Sequence, residues 1–128
     1  MNNFFNLHMN AGQPAVVVSE RHQLVAEGTT LNDNQWHHVA VSMPGDDCLL
    51  STVQMYIDGE PVKTRLQGDD LKLHFNQAVR LGFGGWNYSH KVYDAFPAKP
   101  FSGAMDEISI WTRPLTAAEV KTDWKGSR

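Results

Sequence analysis

Apolar and polar residues alternate along most of the chain. In Trp36-His37-His38-Val39-Ala40-Val41-Ser42-Met43, the positions Val39, Val41 and Met43 fall on one face. In Val53-Gln54-Met55-Tyr56-Ile57, Val53, Met55 and Ile57 do the same. A period of two is that of half-buried β-strands. Asp58-Gly59 follows the second run. Two residues that tolerate positive φ are what a type I′ hairpin turn needs before the chain returns as Glu60-Pro61-Val62-Lys63.

The same reading extends along the sequence. Phe5, Leu7 and Met9 share a face near the start, Ala15-Val16-Val17-Val18-Ser19 is a β-branched run, and Leu24-Val25-Ala26 is a short strand candidate. Val62-Lys63-Thr64-Arg65-Leu66 extends the hairpin, and Gly68-Asp69-Asp70 turns it. Leu71-Lys72-Leu73-His74-Phe75, Val79-Arg80-Leu81-Gly82-Phe83 and Met105-Asp106-Glu107-Ile108-Ser109-Ile110-Trp111 alternate again, the last as a strong closing strand. Residues 28–35 and 45–48 read as loops, and 84–103 as a long irregular stretch rich in glycine, proline and aromatic rings. Thr116-Ala117-Ala118-Glu119 is a capping box, which predicts a helix over 117–124. Eight or nine short strands with one terminal helix predict an all-β antiparallel β-sandwich or jelly roll, not βαβ units, built as a single domain over 1–128.

Composition narrows the function classes. An apolar share of 41% and a charged share of 20% are those of an ordinary globular chain. A net charge of −3 without a basic run gives no footprint for nucleic acid or an anionic membrane. No apolar run approaches the roughly 20 residues of a membrane span, and the first residues lack the basic start and apolar core of a signal peptide. One cysteine, Cys48, excludes an internal disulfide and any CxxC motif, and it reads as an unreactive thiol in a loop.

Four ordered blocks carry a resemblance. Residues 35–42 followed by Val53-Gln54-Met55-Tyr56-Ile57-Asp58-Gly59 resemble the "W-H-H-V-A … L-Y-V-D-G" signature of laminin-G-like domains, which have the concanavalin A-like jelly-roll fold. Arg80-Leu81-Gly82-Phe83-Gly84 resembles that family's Leu-x-Ile-Gly strand. Residues 101–111 resemble "F-x-G-x-I-D-E-V-R-I-Y", and Arg113-Pro114-Leu115-Thr116-Ala117-Ala118-Glu119-Val120 resembles the closing "R-A-L-S-x-E-E-I". Such domains usually begin with further strands, so the resemblance implies a jelly roll that lacks its first strands. Open sheet edges of that kind invite self-association, and with it a homodimer.

Candidate chemistry follows from residue types and parity. Family-16-type glycoside hydrolases share the implied fold and need paired carboxylates on one strand face. Asp106 and Glu107 are adjacent and point to opposite faces of a strand, so the expectation is a non-catalytic module. His37 and His38 cannot chelate one metal together for the same reason, and the other histidines are scattered. His38, beside Ala40 and Ser42 on the non-core face, is expected to line a concave binding surface. Asp106 shares parity with Ile108 and Ile110, which places it inward or at the rim, where a carboxylate needs partners. The resemblance implies a structural Ca²⁺ at this aspartate, with backbone hydrogen bonding as the alternative. Trp86, Tyr88, His90 and Tyr93 alternate in the aromatic loop, with Asn87, Ser89 and Asp94 among them. Flat rings beside a few polar groups suit sugar rings, and capping of an open sandwich end is the competing role. Together these readings predict a glycan-binding, lectin-like module of a larger extracellular or cell-surface protein. Adhesion to a protein partner is the alternative.

Overall fold

The computed structural model describes residues 4–18, 22–74, 80–83 and 101–126. The first layer is a five-stranded sheet of β1 (Phe4–Asn10), β2 (Gln13–Val18), β3 (His22–Ala26), β8 (Thr64–Gln67) and β10 (Arg80–Phe83), in the order β10-β1-β2-β3-β8. Opposite it lie two small sheets. One joins β4 (Val39–Ser42), β6 (Gln54–Ile57) and β7 (Glu60–Pro61), and the other pairs β5 (Asp47–Leu49) with β9 (Lys72–His74). A 3₁₀ turn at Leu50–Thr52 links β5 to β6, and α1 (Ala117–Gly126) closes the described chain. All strand pairs are antiparallel except β1 with β10, which run parallel.

The alternation read from the sequence becomes the core. Val39 faces Ile57 and Val41 faces Met55 across the β4–β6 pair. From the five-stranded sheet, Phe5, Val16, Val18, Leu24 and Ala26 meet Cys48, Leu50, Val53, Met55, Ile57 and Leu73 of the opposite layer in one cluster. Leu24, Leu50 and Met55 are fully buried, and each contributes about 2–3 kcal/mol of transfer free energy. The Asp58-Gly59 turn has φ of 50° and 79°, both positive as a type I′ turn requires, and it joins β6 directly to β7.

Two elements differ from the sequence reading. Residues 45–48, read as a loop, yield β5, and Cys48 packs into the core. Burial pushes its thiol above the ordinary range, which makes it a weak nucleophile. The closing strand expected at 105–111 is absent from the described sheets: the segment pairs with no described strand and its side chains are exposed. The backbone breaks at Glu107, which takes a left-handed φ of 52°, while the Asp106 carboxylate accepts the Glu107 N–H at 2.8 Å. A strand needs a neighbour to satisfy its backbone groups, and the described sheets supply none here.

The helix forms where the capping box predicts. Thr116 Oγ1 accepts the Glu119 N–H at 3.2 Å, and the Glu119 carboxylate accepts the Thr116 N–H at 3.1 Å. Arg113 donates to the same carboxylate and holds its pKa down at about 2.

Candidate functional site

Two polar clusters stand out against this frame. The first occupies the face of the five-stranded sheet turned away from the core. By register, Asn6, Val17, Gln23 and Gln67 lie in one row across β1, β2, β3 and β8, and His8, Ala15, Val25 and Arg65 lie in the next. The apolar members Ala15, Val17 and Val25 are themselves fully buried, as is Gln23, so this face is covered over most of its width. Gln23 Oε1 accepts from Asn10 Nδ2 at 3.3 Å and lies 3.5 Å from His8 Nε2, while Gln23 Nε2 donates to Gln67 Oε1 at 3.1 Å. Gln23 is wholly buried and Gln67 exposed, so the network opens to solvent along β8. Burial lowers the His8 pKa, which keeps its imidazole neutral and able both to donate and to accept.

Asn6 adds an unmet demand to this face. It is 4% exposed, and neither its Oδ1 nor its Nδ2 has a hydrogen-bond partner. A buried amide left in this way costs about 1–3 kcal/mol. Sequence reading missed the whole cluster, because Asn6, His8, Asn10 and Gln23 look like ordinary polar alternates. The available signal was a glutamine inside an otherwise apolar strand pattern, Gln23-Leu24-Val25-Ala26.

The second cluster surrounds the hairpin turn. His37 Nδ1 lies 2.8 Å from Asp58 Oδ2, and His37 Nε2 lies 2.9 Å from both oxygens of Asp33. Asp58 Oδ1 accepts the His38 N–H at 2.9 Å, and the Asp58 N–H returns to the His38 carbonyl at 2.8 Å. The hydrogen bond to Asp58, with support from Asp33, raises the His37 pKa. His38 Nε2 reaches Asp123 of α1 at 3.0 Å, Lys121 Nζ donates to Glu60 at 2.7 Å, and Ser42 Oγ donates to the Leu115 carbonyl at 3.3 Å. The Trp124 ring lies over Gly59 so closely that an added Cβ would stand 2.6 Å from it. The Trp-His-His and Asp-Gly motifs are thereby tied to each other and to the helix.

This geometry corrects two expectations. His38 does not line an open concave surface: its side chain is 18% exposed and committed to Asp123 of α1. Asp106 does not point inward. It is exposed, on a segment that is not a strand. Among the described residues no three His, Cys, Asp or Glu side chains converge on a metal-sized point. The expected ligand contacts Trp86, Asn87, Tyr88, His90 and Tyr93 lie outside the described residues. No helix among the described residues is long and apolar enough to cross a membrane.

Comparison with known proteins agrees with the sandwich. No curated protein matches this sequence. The crystal structure of an S-layer domain-containing protein from Clostridium thermocellum is similar, with a TM-score of 0.53 and 22% identity over 88% of this chain. The match takes in 55% of that structure, so the chain spans about half its length. A family model for laminin-G-like domains of the concanavalin A-like lectin/glucanase superfamily matches residues 1–121, and the chain belongs to that family.

Proposed function

We propose that the domain is a non-catalytic glycan-recognition module of an extracytoplasmic protein. Fold alone does not assign that role. The observation that carries it is the amide and imidazole network of Asn10, His8, Gln23 and Gln67, with the unpartnered Asn6 beside it. Neutral side chains that both donate and accept suit sugar hydroxyls, and a few fixed polar groups among apolar ones are the usual makings of a specific site. The aromatic loop, with Trp86, Asn87, Tyr88, His90 and Tyr93, is the proposed source of stacking surface. The description of the structural relative as S-layer domain-containing agrees with a cell-surface setting.

A glycan-array screen of the purified domain tests this reading, run in calcium and in chelator beside Gln67→Ala and Trp86→Ala. Wild type should bind a restricted glycan set. Loss in Gln67→Ala places hydroxyl recognition on the sheet, and loss in Trp86→Ala places stacking in the loop. Loss in chelator alone assigns binding to a calcium-dependent site. A folded domain that binds no glycan overturns the proposal.

A second reading, self-assembly through open strand edges, is favoured by a different observation. Phe101, Met105, Ile108, Ile110 and Trp111 are exposed along one segment, at 37–65% of their free surface. Exposed apolar runs of this kind mark interaction surfaces.

A further inference from the structure

The geometry points to a proton-operated latch: protonated His37 ties the loop at 33–36 to the hairpin turn, and loss of one proton frees Asp33 while Asp58 stays bound. A carboxylate stands at each ring nitrogen, with Asp58 Oδ2 2.8 Å from Nδ1 and both Asp33 oxygens 2.9 Å from Nε2. A carboxylate only accepts, so both contacts are hydrogen bonds only when both nitrogens carry protons. A neutral imidazole has a single N–H to give, and its bare nitrogen then turns a lone pair on the other carboxylate.

The surroundings decide which bond is lost. Asp58 is anchored without the ring: its Oδ1 accepts the His38 N–H at 2.9 Å, and its own N–H donates to the His38 carbonyl at 2.8 Å. Asp33 has, besides the ring, only the Gln35 N–H at 3.1 Å, from within the same loop. Its side chain is 43% exposed, so water can replace the lost donor. The neutral ring therefore keeps its proton on Nδ1, facing Asp58, and lets Asp33 go. The loop is pinned on either side, by the Leu31 N–H on the Gly12 carbonyl at 2.7 Å and by the His38 N–H on Asp58. Between these pins, no hydrogen bond other than those from His37 ties residues 33–36 to the rest of the described chain. Trp36 lies in this span and is 70% exposed, so the latch sets whether its indole is presented on a fixed or a mobile loop.

Neighbouring charges are engaged elsewhere. The His38 ring is bonded to Asp123 of α1, and Glu60 of the hairpin to Lys121. The hydrogen bond to Asp58, and then that to Asp33, raises the His37 pKa above the ordinary 6.5, so the latch is closed in mild acid and opens in alkali.

An NMR titration of the ring nitrogens and the loop backbone, from about pH 5.5 to about pH 9, provides the test. The ring should lose its Nε2 proton and keep the one on Nδ1. With the same midpoint, backbone order parameters of Asn34, Gln35 and Trp36 should fall from about 0.85 to below about 0.6, while those of Asp58 and Gly59 hold. Asp33→Ala, which leaves the Asp58 bonds in place, should show the low values across the whole range. A neutral ring protonated on Nε2 overturns the latch, because Asp58 is then the partner released. Loop mobility that ignores the His37 midpoint, or that still follows it in Asp33→Ala, overturns it as well. None of these readouts involves a ligand, so the result is independent of the glycan reading.

Discussion

Replacing Gly59 by alanine should loosen the C-terminal helix from the hairpin, and the structure fixes how much. Gly59 is the second residue of the type I′ turn at φ 79°, a conformation that costs a residue with a Cβ about 1–2 kcal/mol. The added carbon would also stand 2.6 Å from Trp124 Cε3 and 3.2 Å from Cδ2. Carbon atoms pack at about 3.5–4.0 Å, so the ring must retreat by about 1 Å. Overpacking of this order costs a further 1–2 kcal/mol or so. The expected loss is about 2–4 kcal/mol, or a fall in Tm of about 8–16 °C for a domain of this size. Urea unfolding of Gly59→Ala, Trp124→Ala and the double variant separates the two terms. In the Trp124→Ala background, Gly59→Ala should cost only the backbone share of about 1–2 kcal/mol. The same cost in both backgrounds would show that Trp124 does not press on the turn. A loss under about 0.5 kcal/mol in wild type would refute the turn geometry as well.

Other outcomes are open to measurement. In an NMR titration, His37 should protonate above the ordinary value of 6.5, chiefly through its hydrogen bond to Asp58, and His8 below it, because burial disfavours its charged form. His37 therefore stabilises the fold below its unfolded pKa and loses that contribution as pH rises through its folded pKa, so His37→Gln should weaken the domain more at pH 5.5 than at pH 8 or so. His8 acts with the opposite sign: its neutral state favours folding above the unfolded pKa, and the benefit fades as pH falls. Thr116→Ala removes the acceptor for the Glu119 N–H and should cost about 1 kcal/mol in urea unfolding. Cys48 should resist a thiol reagent in buffer and react at the rate of a free thiol in denaturant. Rapid labelling of the native protein would contradict its place in the core.

What could be read from the sequence was whatever rests on local period and local hydrogen bonds. The faces of β4 and β6, the Asp58-Gly59 turn and the Thr116 capping box depend on neighbours within a few residues, and each stands as its pattern implies. The strand at 105–111 has an equally clear pattern, but strand formation needs a partner, and pairing is not a local property. Strand β5 was hidden because Asp46-Asp47 reads as a turn, while pairing with β9 holds Asp47, Cys48 and Leu49 extended. His38 illustrates the limit for sites. Its parity on β4 is plain, yet its partner Asp123 lies 85 residues away. The glutamine network escaped for the same reason, since Gln23 meets its partners from β1 and β8 only after the four strands β1, β2, β3 and β8 are in register.

The fastening of the helix across the hairpin has a consequence for how the chain is made. His38 with Asp123 and Glu60 with Lys121 are separated by 85 and 61 residues, so the hairpin leaves the ribosome well before the helix that fastens it exists. Until then Gly59 has no tryptophan over it. Contacts this distant along the chain slow folding, because a long loop must close before any of them forms. The nascent hairpin thus passes through an interval with its outer face uncovered, and the helix works as the final fastener of a chain synthesised from the other end.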